Sequence, residues 1–268
     1  MTETSTPAIA LQSITLSGDG GTVLDGVTLD LAPGRSLAVM GSSGCGKSLL
    51  LKIMAGLIPP SEGSVSLFGR DLSAVSAREE RELQLRTGFV FQDAALWQNM
   101  SVFGNLSLPV RYHYPQMPDS ELRERVGRVA ARFELEPYLE TRPAGLSFGI
   151  RKLVSFARAI ALDPELLFVD EPLGFLDSHA ADRVTATLRT LKREGRAIVA
   201  ATHDAHLTAL LADDIAVMSR GTILQHGSVA EVARSTDHRV QSILTDLLSE
   251  TATYAGDILD LLGPGDSP

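Results

Sequence analysis

The chain has 268 residues, 44% of them hydrophobic and 21% charged, so it carries ample material for a buried core and is not globally disordered. A net charge of -9 argues against unaided nucleic-acid binding, which needs a basic face, and one cysteine excludes an internal disulfide framework and points to a reducing, cytosolic setting. The opening MTETSTPAIA lacks the layout of a secretory signal, and no run reaches the roughly 18 apolar residues that span a bilayer, so the chain is expected to be soluble and to act at a membrane only through a partner.

From residue 8 to residue 40, the short alternating runs ALQSITL and GVTLDL, broken by SGDGG and APG turns, predict strands. The apolar run SLAVM is a buried strand leading straight into GSSGCGKS, after which KSLLLKIMAGL has helical spacing. IPPSEG is a turn, and SVSLF and TGFVF are strands separated by the charged SAREERELQLR, a solvated helix. Between Asp93 and Gly145 the strands stop, and residues 121–135 predict a helix with Leu122, Val126, Val129, Ala130 and Phe133 on one face. A second helix over IRKLVSFARAIAL leads into the apolar strand LLFVD. Beyond it come a helix from Ser178 to Arg193, strand AIVAAT, a short helix, then IAVM and TILQHG. The alternation predicts an α/β fold with a mostly parallel sheet and a helical subdomain inserted in it.

Gly41, Ser42, Ser43, Gly44, Cys45, Gly46, Lys47 and Ser48 satisfy G-x-x-x-x-G-K-[ST] between a predicted strand and a predicted helix, the context that gives this pattern its meaning. The glycines let backbone N–H groups curl around phosphate oxygens, and the helix N-terminus adds its dipole. Lys47 is placed to reach the β- and γ-phosphates and Ser48 to hold Mg²⁺. Cys45 is either a small filler at a variable position or a thiol activated by the positive potential of the loop.

LLFVDE is an apolar strand ending in two acids. Asp170 is placed to bind Mg²⁺ through its shell, and Glu171 is the candidate that positions and polarises the attacking water. His203 after AIVAAT fits a sensor of the γ-phosphate, and Gln92 after TGFVF can reach a Mg²⁺-bound water; neither carries weight alone.

The order GSSGCGKS, FQ, LSFG, LLFVDEP, LD, TH resembles the ATPase subunit of an ABC transporter over most of the chain. The resemblance implies a P-loop NTPase fold of the ABC ATPase type with an N-terminal antiparallel β subdomain and an inserted helical subdomain. It implies ATP and Mg²⁺ as cofactors, and a phosphate loop running through Lys47, Ser48 and Leu49. Gln92 becomes the Q-loop residue, Ser147 and Gly149 the signature, and Asp170 and Glu171 the magnesium and base carboxylates. Asp177 becomes the D-loop aspartate and His203 the switch histidine. It further implies a dimer in which each ATP lies between one chain's phosphate loop and the other's signature, bound to an integral-membrane permease. On this basis residues 8–235 are the ATPase domain, with the helical subdomain at about 93–160, and residues 236–268 are a helical extension.

Two features depart from the family pattern. In LSFGIRK, Phe148 stands where the first signature glycine is usual and Ile150 where the glutamine is, although Ser147, Gly149 and the helix start remain. The region before the phosphate loop reads TLSGDGGT, without the aromatic that stacks on adenine, which at about 1–3 kcal/mol lowers ATP affinity roughly 10- to 150-fold. Lys47, Glu171 and His203 are all present, so hydrolysis is expected despite both changes.

DAALWQNMSVFGNLSLPVR and the tail DHRVQSILTDLLSE resemble the Mla/Mce-type lipid transport ATPases. The expected function is therefore ATP hydrolysis powering lipid or phospholipid transport, with lipid-binding Mce-type accessory subunits, peripheral on the inner face of the membrane. The alternatives are the ATPase of a small polar-solute importer and a non-hydrolysing nucleotide-binding regulator. Trp97 and Phe103 belong either to a permease groove or to the core. The stripe Val240, Ile243, Leu244, Leu247 and Leu248 packs either on the chain's own body or on a neighbouring ATPase.

Overall fold

The computed structural model describes residues 6–18 and 20–251, with the backbone alone for 247–251. In chain order the elements are β1 (Ile9–Gly18), β2 (Gly21–Leu31), β3 (Ser36–Met40), α1 (Lys47–Met54), β4 (Glu62–Leu67), β5 (Arg70–Asp71), α2 (Ala77–Arg86) and β6 (Thr87–Val90). Then follow α3 (Val102–His113), α4 (Asp119–Ala131), α5 (Phe148–Ile160), β7 (Leu166–Asp170) and α6 (Ser178–Arg193). The described chain closes with β8 (Ala197–Ala201), α7 (Ala205–Leu211), β9 (Asp214–Ser219), β10 (Thr222–Ser228), α8 (Val229–Ala233) and α9 (His238–Thr251). They form two compact units, one from the chain up to Val75 and from Ala197 onward, the other Ser76–Arg196.

The first unit holds an antiparallel sheet in the order β2-β1-β4-β5, as the alternating runs before residue 40 require. It also holds β3 between parallel β8 and parallel β9, with β10 antiparallel on β9. All five residues of β3 and of β8 are buried, which is why SLAVM, after its first residue, and AIVAA read as unbroken apolar runs: a parallel strand is covered on both faces. Arg35 donates from Nε and Nη2 to the two carboxylate oxygens of Asp214, both at 2.7 Å, pinning the start of β3 to the start of β9. Helix α1 stops at Met54, short of the predicted Leu57. Gly56 takes φ +72, and the Leu57 N–H donates to the Lys52 carbonyl at 2.8 Å, a closing pattern that only a residue at ease in the left-handed region completes without strain. Val240, Ile243 and Leu244 of α9 pack against Ala38, Met40, Ile215 and Val217, so this part of the tail stripe covers the chain's own body. The side chains of Leu247 and Leu248, and the rest of the tail to residue 268, lie outside the described residues.

The second unit pairs β6 with β7 in parallel and surrounds them with helices. Ser76 opens α2 with a capping box: its hydroxyl accepts from the Glu79 N–H, and the Glu79 carboxylate accepts from the Ser76 N–H at 2.9 Å. Arg86 at the end of α2 makes a two-pronged ion pair with Glu165 just before β7, at 2.7 and 2.9 Å. Leu122, Val126, Ala130 and Phe133 are buried as the helical face predicted, and Val129 is half-buried. Helix α3 is not foreshadowed by the sequence reading, because Pro109 lies inside it. Its burial of Val102, Leu106 and Val110 at i,i+4 spacing, and the Ser101 hydroxyl that accepts from the Gly104 N–H, carry it past the proline. Among the described residues no helix is long and apolar enough to cross a membrane.

Candidate functional site

In the first unit the loop of residues 41–48 leaves the end of β3 and enters α1. A Cβ on Gly41 would stand 2.3 Å from the Met218 carbonyl oxygen, and one on Gly46, the N-cap of α1 at φ +109, 2.8 Å from Leu24 Cδ2. Gly44, at φ +77, faces open space. The loop is thus packed on one side and open on the other. Cys45 is buried, Ser42, Ser43 and Gly44 are exposed, and Ser48 and Leu49 are half-buried. The Cys45 carbonyl accepts from the Gly221 N–H at 3.0 Å, and the Gly221 carbonyl from the Asp25 N–H at 3.0 Å, so the β9–β10 turn and β2 support the packed side. Burial favours the filler role for the Cys45 side chain. Lys47, 8% exposed, arches over the loop and donates to the carbonyls of Gly41 at 2.7 Å and Ser42 at 3.1 Å.

His203 joins this loop through sheet register. Val39 pairs with Ala201, so Gly41 and His203 each leave the end of one of two adjacent parallel strands, two residues past a paired position. His203 is exposed, and the next residue, Asp204, caps α7 by accepting the Leu207 N–H at 2.7 Å.

The second unit repeats that geometry with the acids. Val90 pairs with Val169, so Gln92 and Glu171 each lie two residues past a paired position on adjacent parallel strands. Asp170 is buried. Glu171 is held at φ +46, a left-handed conformation that costs a non-glycine residue roughly 1–3 kcal/mol and tends to mark functional sites. Helix α5 begins at the altered signature. Ser147 is its N-cap, its hydroxyl accepting from the Ile150 N–H at 3.3 Å. Phe148 turns its ring onto Phe175. A Cβ on Gly149 would meet only ordinary contacts, the nearest at 3.7 Å, so nothing within the chain demands a glycine there. Asp177 caps α6 by accepting the Ala180 N–H at 2.8 Å.

Three residues that the sequence reading passed over tie this unit together. Lys152 on α5 is fully buried, and its ammonium donates to the carbonyls of Phe91 at 3.0 Å, Gln92 at 3.2 Å and Asp170 at 3.0 Å. Burial pushes its pKa down from the ordinary 10.5 to about 8, against the pull of Asp170, Glu171 and Asp93. One turn and a half further along α5, Arg158 donates to the carbonyls of Ala95 at 2.9 Å and Ala94 at 3.1 Å, two residues both at positive φ. Asn105 on α3, also buried, accepts from the Trp97 N–H at 2.9 Å and donates to the carbonyls of Trp97 and Ser101 at 3.1 and 3.0 Å. Trp97 itself is 56% exposed, while Phe103 is half-buried under the Arg123 guanidinium, so Trp97 is not a core residue.

These residues fit a magnesium nucleotide. Positions where a Cβ is forbidden, an exposed stretch at Gly44 and a helix N-terminus are what a phosphate group requires. Each candidate metal donor, Ser48 in the first unit and Gln92 and Asp170 in the second, offers oxygen, the donor type Mg²⁺ takes. A buried strand running through a glycine loop with a lysine into a helix defines a P-loop nucleoside-triphosphate-binding protein. The ABC transporter family matches residues 24–174, and the chain belongs to that family. It is similar to the nickel import ATP-binding protein NikO of Rhodobacter capsulatus, 36% identical over 86% of this chain and 93% of the relative. It is also similar to the sulfate/thiosulfate import ATP-binding protein CysA of Methylococcus capsulatus, 34% identical over 94% of this chain and 71% of the relative. The dimeric structure of a bacterial ABC transporter cassette superposes with a TM-score of 0.78 at 29% identity, covering 82% of this chain and 98% of that one. The fold is therefore the ABC ATPase fold, and the chain is an ATP-binding subunit of this transporter class, an ATPase that uses ATP and Mg²⁺.

Proposed function

We propose that the chain powers an importer of a small polar solute, working as a dimer against an integral-membrane permease on the cytoplasmic face of the membrane. The observation that carries this reading is that both relatives above, one covered over 93% of its length, are import subunits for small inorganic solutes. Solutes as unlike as a nickel ion and sulfate are served by similar ATPases, which leaves cargo choice to the permease. Residues 8–235 supply the ATPase, and residues 236–268, described only as far as Thr251, are an extension to it.

In this reading Lys47 and the N–H groups of residues 41–49 hold the β- and γ-phosphates. Ser48, Asp170 and Gln92 hold Mg²⁺, which when bound neutralises charge between the phosphate oxygens. Glu171 accepts the proton of the attacking water and His203 contacts the γ-phosphate. Ser147 and Gly149 of a second copy close over the nucleotide, with Asp177 beside them. The lack of any internal need for glycine at 149 supports an approach from outside the chain.

A lipid cargo is the second reading. It is supported by the pattern of residues 93–111 and of the tail, which resemble the Mla/Mce-type ATPases, and it brings lipid-binding Mce-type subunits as partners. One preparation tests both: the full chain purified with its permease and assayed for ATP hydrolysis beside Glu171→Gln. Turnover that disappears in Glu171→Gln and rises with an added metal ion or oxyanion supports the importer. Turnover that rises only with added phospholipid replaces it with the lipid reading.

A further inference from the structure

We propose that Lys152 is a positioning residue for hydrolysis, holding the Gln92 segment and the Asp170–Glu171 strand end at a set spacing and joining both to the helix that begins at Ser147. The inference rests on the roles of Gln92, Asp170 and Glu171 proposed above. An ammonium has three N–H donors and no acceptor. Here the three meet three backbone carbonyls, at 3.0, 3.2 and 3.0 Å, from the two segments that carry the candidate water-positioning and metal-binding groups.

A fully buried lysine is otherwise unfavourable, because removing its charge from water is costly. A methionine or leucine would fill this buried position of α5 without that cost, so packing does not account for the lysine. What an apolar side chain cannot do is bond the Gln92 and Asp170 carbonyls at once. Because both carbonyls belong to residues one step from, or identical with, the reactive positions, a shift of the backbone there moves the Gln92 and Glu171 side chains directly. Small misplacements of this kind reduce turnover far more than they reduce binding. The phosphate loop, in the other unit, keeps its own supports in Met218, Leu24 and Gly221.

The test compares the full chain with Lys152→Met and Lys152→Gln, measuring kcat for MgATP hydrolysis, the Kd for MgATP and the Mg²⁺ concentration giving half-maximal rate. The expected result for Lys152→Met is a kcat lowered about tenfold or more, a Kd within threefold of the parent, and a raised Mg²⁺ requirement, with Lys152→Gln intermediate because it keeps two donors. A folded Lys152→Met with kcat within twofold of the parent overturns the proposal, as does a loss confined to Kd. If Lys152→Met shows no cooperative thermal transition, Lys152→Gln is judged by the same limits against the parent. Glu171→Gln assayed alongside separates the two levels. Turnover surviving in that variant removes the underlying assignment of Glu171, whereas turnover lost there but retained in Lys152→Met removes only the role given to Lys152.

Discussion

The rings of Phe148 and Phe175 meet edge to face, centroids 4.9 Å apart and planes at 64°. Phe148 occupies the altered signature, and Phe175 lies in the turn between Glu171 and Asp177, at φ +66 and 76% exposed. The Arg151 guanidinium lies 5.4 Å from the Phe148 ring centroid. The bulk added at the signature is therefore matched by a second aromatic in the neighbouring turn. Such pairs contribute about 0.5–1.5 kcal/mol beyond the area they bury. In a double-mutant cycle of Phe148→Ala and Phe175→Ala, urea unfolding is expected to give a coupling of about 0.5–1 kcal/mol, and the double variant to lose no more turnover than the poorer single one. Additive stabilities with multiplied losses of turnover would show two independent side chains.

The glycines of the phosphate loop differ in what they exclude. At Gly41 an added Cβ meets a backbone oxygen at 2.3 Å, which no rotamer change relieves, whereas at Gly44 there is open space and only the left-handed φ of +77 opposes a side chain. That conformation costs an L-residue about 1–2 kcal/mol. Gly44→Ala is expected to lose about 1 kcal/mol in urea unfolding, and Gly41→Ala at least roughly 3 kcal/mol together with MgATP binding. Equal losses at the two positions would contradict the packing described for Met218.

The strand, loop and helix of residues 36–54 were legible because each carries a local signal: four successive apolar residues, a glycine pattern, then helical spacing. The same holds for LLFVD with its two acids. Helix α3 was hidden because Pro109 breaks the local rule and burial of Val102, Leu106 and Val110 overrides it. Lys152 was hidden for a different reason. A charged residue near a helix start reads as a solvated face, and its acceptors lie 61, 60 and 18 residues away in sequence, beyond any local window. Phe175 gave no signal either, since its partner is 27 positions upstream in a motif where no aromatic is expected.

Asn105 latches the segment that carries Trp97. Substitution by Ala removes the acceptor for the Trp97 N–H, which at about 1–3 kcal/mol is the larger loss, and one of two donors to the Trp97 carbonyl, which keeps the Met100 N–H at 3.2 Å. Asn105→Ala is expected to lose about 2–3 kcal/mol. Because Trp97 is the single tryptophan, its fluorescence emission reports the segment directly, and it should change in the variant before global unfolding. Asn105→Asp should be no better, since a carboxylate cannot donate to the carbonyls of Trp97 and Ser101. A stability within about 0.5 kcal/mol of the parent would remove the latch.

Lys152 also sets a pH signature on stability. Its pKa falls on folding from the ordinary 10.5 to about 8, chiefly through burial, so the folded chain holds this proton less tightly than the unfolded chain. Where the unfolded state binds more protons, stability rises with pH. The contribution of this lysine is therefore fully present above 10.5 and is lost as pH falls through about 8. One pKa unit is worth about 1.4 kcal/mol, so the whole change is roughly 3 kcal/mol. Other groups titrate in the same range, and Lys152→Met removes this one alone. Urea unfolding of the parent and of Lys152→Met at a series of pH values should show their difference moving in favour of the parent by roughly 3 kcal/mol between pH 8 and 10.5. A difference that stays flat would mean that the ammonium is not desolvated on folding. A difference that moves the other way would mean that the three carbonyls more than offset its burial.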